Sequence, residues 1–227
     1  MRKVTRTAPA KINLGLDVTG TRPDGYHLLE TVFQAVSIAD TVTVELIDTP
    51  DIALTCDVAG VPCSPKNIAW KAAQRYLDAA GLTDGVQIHI EKRIPMEAGM
   101  GGGSTDGAAV LLALQELTGN ALSMDKLAEI AVSLGADVPF FLYGGTAYAA
   151  GIGEKLEKLP AFSTDCMVIA KGTAGVSTAQ AYGAIDALQN PQHPPVQELR
   201  QALRNGATAE EIAPLCGNLF ELCYFCK

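Results

Sequence analysis

The sequence predicts a protein of mixed helices and strands in two domains, on three observations. β-Branched runs near the N-terminus alternate with polar residues, as half-buried strands do. Further along, apolar residues recur at helical spacing between capping residues and glycine stops. A loop-like stretch, Pro160 to Thr164, then separates residues 1–160 from residues 161–227.

Each element follows from its own residues. Lys3 to Val18 is rich in β-branched side chains and supplies strands, with a turn at Asp24-Gly25. Thr41 to Ile47 (TVTVELI) alternates, and Ile52 to Cys56 suits it as a partner strand. Ser64-Pro65 signals a helix start; Ala69, Ala72, Ala73, Tyr76, Leu77 and Ala80 form its apolar face, and Gly81 stops it. Val86 to Ile90 is a strand leading into a glycine-rich run. A helix opening near Ser104 is apolar on every side through Leu114, so it is expected to be buried, and Gly119 ends it. Ser123 caps a third helix carrying Leu127, Ile130, Ala131 and Leu134, with Gly135 behind it. Gly144 to Ala150 and Cys166 to Ala170 read as strands. From Ser177 the chain is mostly helical, with a polar break from Gln189 to Pro195.

Bulk composition excludes several classes of function. With 227 residues, 48% hydrophobic and 19% charged, the chain is globular rather than disordered. A net charge of −8 and a pI near 4.9 provide no basic field for a nucleic-acid partner. No apolar run reaches the ~18 residues of a membrane span, and the N-terminal MRKVTRTAPAKINLGL lacks the continuous apolar stretch of a secretory signal. A cytoplasmic location is expected, in which the six cysteines stay reduced. Cys223 and Cys226 form a CxxC with no second pair, and His27, His89 and His193 lack ligand-like spacing, so no protein-held metal is expected.

The chemistry concentrates in Pro95 to Ala109, PMEAGMGGGSTDGAA. Phosphate oxygens crowd any backbone that wraps them, so a cradle sheds side chains. Gly99, Gly101, Gly102 and Gly103 meet that need and reach positive φ freely. The helix that follows offers its first N–H groups and its dipole to an anion. The hydroxyls of Ser104 and Thr105 are expected to reach a phosphate or a metal-bound water. Neither of two better-known glycine patterns fits. The P-loop G-x-x-x-x-G-K-[ST] fails because no lysine follows, and G-x-G-x-x-G fails at Ser104.

This run is similar to the phosphate loop of the GHMP kinase superfamily, P-x-x-x-G-[LM]-G-[GS]-[GS]-S. Four further blocks carry the resemblance in the family's order: Ala8 to Leu16 (APAKINLGL), Arg22 to Gln34 (RPDGYHLLETVFQ), Leu134 to Glu154 (LGADVPFFLYGGTAYAAGIGE) and, more weakly, Val176 to Tyr182 (VSTAQAY). The D-G-Y-H and G-A-D-V-P-F-F blocks resemble the branch that phosphorylates the 2-hydroxyl of a cytidine-diphosphate-linked methylerythritol in the non-mevalonate route to isoprenoids. The resemblance implies a two-domain α+β fold: a first domain with a left-handed β-α-β crossover and a second, ferredoxin-like sandwich that is incomplete here. It also implies ATP with Mg2+ as co-substrate, the ion held mainly by phosphate oxygens. Asp137 matches the family's general base and Lys11 its charged partner; from the residues alone, Asp137 also suits a helix N-cap and Lys11 a solvated strand. Pro95, Met96, Glu97, Ala98, Gly99, Met100, Gly101, Gly102, Gly103, Ser104 and Thr105 match the ATP loop, and Lys66 and Asn67 the start of the adenine-contacting segment. Asn13, Tyr26, His27 and Tyr182 match the substrate side, an aromatic and an imidazole suiting cytosine's flat face and polar edge.

Two departures stand out. Glu97 occupies a loop position usually held by a small residue and is expected to face solvent, away from phosphates. The family's third glycine motif, close to G-S-G-[PA], is absent, and after Gly217 to Glu221 the chain ends in LCYFCK, unlike the family. A truncated kinase with reduced or no turnover is therefore expected. The alternatives are a nucleotide-binding remnant and another GHMP kinase acting on homoserine, mevalonate or a sugar.

Overall fold

The computed structural model describes residues 2–164, 166–172 and 178–224. The chain divides into two compact units, each assembled from separate stretches. One comprises Met1–Ala10, Val36–Met96 and Met100–Tyr143; the other comprises Lys11–Ala35, Glu97–Gly99 and Gly144–Lys227. Two long strands, β1 (Lys3–Thr21) and β2 (His27–Ile47), contribute different portions to each.

In the first unit the strand order is β3-β4-β2-β1, with β3 at Ile52–Cys56 and β4 at Gly85–Glu91. β2 and β4 run antiparallel from Thr41↔Glu91 to Ile47↔Gly85. β3 lies parallel to β4, from Ile52↔Val86 to Cys56↔Ile90. The expectation that Ile52–Cys56 pairs directly with Thr41–Ile47 is therefore corrected: β4 lies between them. A parallel pair needs a crossover, and helix α1 (Ile68–Ala80) supplies it, contacting both strands. Val42 and Val44 on β2, and Val86, Ile88 and Ile90 on β4, are fully buried while Gln87 and His89 are exposed, so the period of two selects the core face. Each such side chain contributes about 1.5–3 kcal/mol by leaving water. α2 (Gly102–Leu117) packs on α1 and on the short α4 (Val138–Tyr143), and α3 (Met124–Leu134) packs on α1. As its all-round apolar run requires, α2 is buried along most of its length. At Gly107 it comes so close to α1 that a Cβ would lie 2.6 Å from Ile68 Cγ2.

In the second unit β2 pairs with β5 (Thr146–Gly151) from Leu29↔Gly151 to Gln34↔Thr146, and β5 pairs with β6 (Lys155–Lys158). The helices here are α5 (Thr178–Asp186), α6 (Val196–Arg204), α7 (Ala209–Ile212) and α8 (Glu221–Tyr224). β1 runs parallel to a two-residue strand, β7 (Gly217–Asn218). A core of Leu14, Val32, Tyr148, Leu159, Val196, Leu199, Leu203 and Ile212 joins α6 and α7 to the sheet.

The fold class is α+β, as expected, and several local expectations change. Asn67, not Ser64, caps α1: its Oδ1 accepts from Ala69 N at 2.9 Å, while Ser64 O closes the preceding turn on Asn67 N at 2.9 Å. α2 opens at Gly102 rather than near Ser104. β2 begins at His27, well before Thr41, and β6 was not foreseen. Cys166–Ala170 forms no strand; its residues are exposed, Val168 at 86%. Apolar alternation expresses a side-chain preference, but a strand also needs a neighbour to receive its N–H and C=O groups. No described strand pairs with this segment.

Candidate active site

The glycine-rich run leaves β4 and turns into α2. Gly99 (φ 68°) and Gly101 (φ 73°) adopt left-handed backbone, as expected; Gly102 and Gly103 do not, because they already form the first residues of α2. Their lack of a side chain serves a different purpose. A Cβ on Gly102 would lie 3.2 Å from Lys92 Nζ. Gly101 is the N-cap of α2 and offers no side-chain cap, and Thr105 N donates to Gly101 O at 2.8 Å. The amides of Gly102, Gly103 and Ser104 precede that first helical bond and point out of the helix end, the arrangement that receives an anion. Ser104 is half-buried there, whereas Thr105 is buried and its hydroxyl belongs to the interior. Pro95, Met96 and Glu97 are exposed, and Ala98 is half-buried. Glu97 faces solvent as expected, at a left-handed φ of 54°.

Beneath the loop is a charged cluster that sequence reasoning missed. Lys92 Nζ donates to Asp106 Oδ2 at 2.8 Å and, more closely still, to Asp40 Oδ2. Asp40 is 0% exposed and Asp106 3%. The other oxygen of Asp40 accepts from the backbone N–H of Arg93 and from that of Ile94 at 2.8 Å. Burial pushes the Asp106 carboxyl up to about 7, against the opposing pull of Lys92. Burial also works against the Lys92 ammonium, but Asp106 and Asp40 outweigh it and its pKa is raised. The signal available in the sequence was an aspartate directly before the apolar run of a helix expected to be buried; such a group, once buried, needs a cation.

At the other expected nucleotide positions, Lys66 is exposed and Asn67 is buried. The Asn67 amide is committed to structure, accepting from Ala69 N and donating to Pro62 O at 2.9 Å. Asp137 stands half-buried immediately before α4.

In the second unit, Lys11 is 6% exposed rather than solvated. Its Nζ donates to Asn13 Oδ1 at 2.9 Å and lies 5.1 Å from the centre of the Phe33 ring. Asn13 Nδ2 donates to Thr31 Oγ1 at 2.7 Å, and Thr31 in turn donates to Gly15 O at 2.7 Å. This relay fixes the Asn13 amide with its oxygen toward the lysine. His27 and Tyr182 also come together: their rings stack at 4.5 Å with planes 20° apart. His27 Nε2 bonds Asp186 Oδ1 at 2.8 Å, and Phe220 meets Tyr182 edge-on at 5.2 Å. Asp186, a further candidate, was not singled out in the sequence. Tyr26 is 61% exposed on the turn closed by Gly25 N to Arg22 O. Among the described residues no three His, Cys, Asp or Glu side chains converge on a metal-sized site, and no helix is long and apolar enough to cross a membrane. Cys226 lies outside the described residues.

Residues 67–145 match the model of the GHMP kinases N-terminal domain. The fold and this match point to the GHMP kinases, a class of ATP-dependent small-molecule kinases, and the relatives that follow establish the membership. It is 48% identical over 185 residues to the 4-diphosphocytidyl-2-C-methyl-D-erythritol kinase of Geobacter metallireducens, covering 82% of this chain and 66% of that one. To the enzyme of the same name from Exiguobacterium sibiricum it is 43% identical over 217 residues, covering 94% of this chain and 74% of that one. A crystal structure of 4-(cytidine 5'-diphospho)-2C-methyl-D-erythritol kinase superposes with a TM-score of 0.75 at 39% identity, over 98% of this chain and 77% of that one. The chain is a member of the 4-diphosphocytidyl-2-C-methyl-D-erythritol kinase family, and it spans about two thirds to three quarters of the length of these relatives.

Proposed function

We propose that the chain transfers the γ-phosphoryl group of ATP to the 2-hydroxyl of 4-diphosphocytidyl-2-C-methyl-D-erythritol. The observation that carries this reading is the uncapped N-terminus of α2, reached through left-handed Gly99 and Gly101, with three outward amides and glycines where side chains would obstruct a phosphate. In a protein with net charge −8, anion binding has to be local in this way.

The remaining roles rest on the family resemblance and on the chemistry of each group. Asp137 accepts the proton of the substrate hydroxyl as its oxygen bonds to the γ-phosphorus and the bond to the β-phosphate oxygen breaks, releasing ADP. Lys11 neutralises charge on the transferring group, and its seat on Asn13 supports that role by holding the ammonium still. The loop from Pro95 to Thr105 holds the nucleotide's phosphates through the amides of Gly102, Gly103 and Ser104, with Glu97 turned to solvent and Thr105 anchoring the helix end from inside, and Lys66 and Asn67 lie near the base. The Asn67 side chain and backbone are both committed, so this residue serves the adenine by shaping the segment that meets it. A magnesium ion arriving with ATP would be held mainly by the nucleotide and would supply charge neutralisation. His27 and Tyr182 receive the cytosine with Tyr26 beside them. A base inserted between two rings needs about 7 Å between their planes, twice a stacking distance, so the 4.5 Å pair opens on binding or presents one outer face. Residues 1–160 and 161–227 are the family's two domains in this proposal.

The test is an ADP-release assay with the cytidine substrate, homoserine and mevalonate in parallel, with CDP as competitor. Turnover on the cytidine substrate alone, inhibited by CDP, is the expected result. Turnover on homoserine or mevalonate replaces the proposed substrate, and nucleotide binding without ADP release on any of the three refutes the activity.

A further inference from the structure

The Asp40, Lys92 and Asp106 cluster has no role in the proposed transfer, yet it grips both ends of the loop on which that transfer depends. At the loop's entrance Asp40 Oδ1 holds the amides of Arg93 and Ile94, immediately before Pro95. At the exit Asp106 belongs to the first turn and a half of α2. Lys92 bonds a carboxylate at each end, and its ammonium lies so close under Gly102 that a Cβ there would stand 3.2 Å away.

The charges in this cluster do not balance when all three groups are ionised. Two carboxylates face one ammonium, and the side chains are 8% exposed for Lys92, 0% for Asp40 and 4% for Asp106. Asp106 Oδ1 is buried and accepts no hydrogen bond, so nothing on that side offsets a full negative charge on the carboxylate. The charged groups acting on Asp106 are Lys92, from the segment after β4, and Asp40, from β2. Arg93 turns aside to Asp57 at 2.9 Å, and α1 meets the same part of α2 with Ile68, an apolar side chain.

We propose that Asp40, Lys92 and Asp106 are positioning residues that staple the two ends of the phosphate loop, and that Asp106 carries a proton when the loop holds an anion. The proposal rests on the reading of this loop as a nucleotide cradle. Its physical reason is electrostatic. An ionised Asp106 leaves a net negative charge, poorly screened by its surroundings, under the helix end that receives phosphates. A protonated Asp106 leaves that end neutral beneath and positive above, while Lys92 still bonds Asp106 Oδ2. Anion binding then takes up a proton, so nucleotide affinity falls as pH rises past about 7.

Titration calorimetry of the full chain with a non-hydrolysable ATP analogue and magnesium, from about pH 6.5 to about pH 8.5, tests it. One linked proton gives a limiting slope of tenfold per pH unit above about 7, so wild-type affinity falls by up to about 25-fold over that range. Asp106→Asn, a neutral isostere, removes that fall and binds at the upper pH as tightly as wild type does at the lower. Lys92→Met weakens binding at least about tenfold at every pH, and Lys92→Arg recovers part of it. If Lys92→Met does not fold, the Asp106→Asn profile decides alone. Parallel pH profiles for wild type and Asp106→Asn overturn the staple while leaving the nucleotide site intact. A wild-type chain that binds no analogue at any pH overturns both.

Discussion

Lys11 illustrates what a residue's surroundings add to its type. Read singly, a lysine in a strand-forming segment belongs in water. In the structure it is 6% exposed, with Nζ on Asn13 Oδ1 and the relay through Thr31 to Gly15 O behind it. Thr31→Val breaks that relay while keeping the shape. The Asn13 amide and Gly15 O then lack a buried partner, at a cost of about 1–3 kcal/mol, measurable by urea unfolding. If the relay also positions the ammonium, kcat falls more than KM rises. For Asp137, replacement by Asn keeps size and removes basicity. The proposed role predicts kcat lower by about 10²–10⁴-fold, with calorimetric affinity for the ATP analogue unchanged. Equal loss of both would assign Asp137 a structural role at the start of α4.

At the scale of elements, the glycines divide by function. Gly99 and Gly101 turn the backbone; Gly102 and Gly107 admit close neighbours. Gly107→Ala forces a methyl against Ile68, where the nearest atom is 2.6 Å away, and destabilises by about 1–3 kcal/mol. Thermal unfolding reads this directly, and unchanged stability would mean that α1 and α2 separate easily. The glycine run and the helix behind it were legible because both signals are local: three consecutive glycines and an unbroken apolar run. The start of α1 was misplaced because Ser64-Pro65 and Asn67 are both capping chemistry within one turn, and only the contact to Ala69 N decides between them. The pairing of Ile52–Cys56 and the failure of Cys166–Ala170 to form a strand depend on neighbours far along the chain. The lysine staple was illegible for the same reason: Lys92 lies 52 residues from Asp40 and 14 from Asp106, and no local pattern links them.

For the whole molecule, net charge and titration set the conditions of use. Asp106 titrates at about 7 in the folded chain against an ordinary 3.8. The folded state therefore holds a proton that the unfolded state has already lost in between. This contribution to stability is complete below 3.8 and disappears as pH rises through about 7. Asp106→Asn needs no proton, so its stability relative to wild type rises across that window, as urea midpoints at about pH 5 and about pH 8 would report. A constant difference between the two would mean that Asp106 does not titrate there.

In the proposed reaction the loop from Pro95 to Thr105 delivers a phosphoryl group to one hydroxyl of a cytidine-linked polyol. Phosphorus NMR of the chain incubated with ATP, magnesium and 4-diphosphocytidyl-2-C-methyl-D-erythritol tests that claim most directly. The predicted result is a new phosphomonoester signal, coupled to the methylerythritol carbon skeleton at position 2, growing as ADP accumulates and missing with Asp137→Asn. ATP consumed with phosphate released only to water, or no new ester in the presence of demonstrated ATP binding, would contradict it.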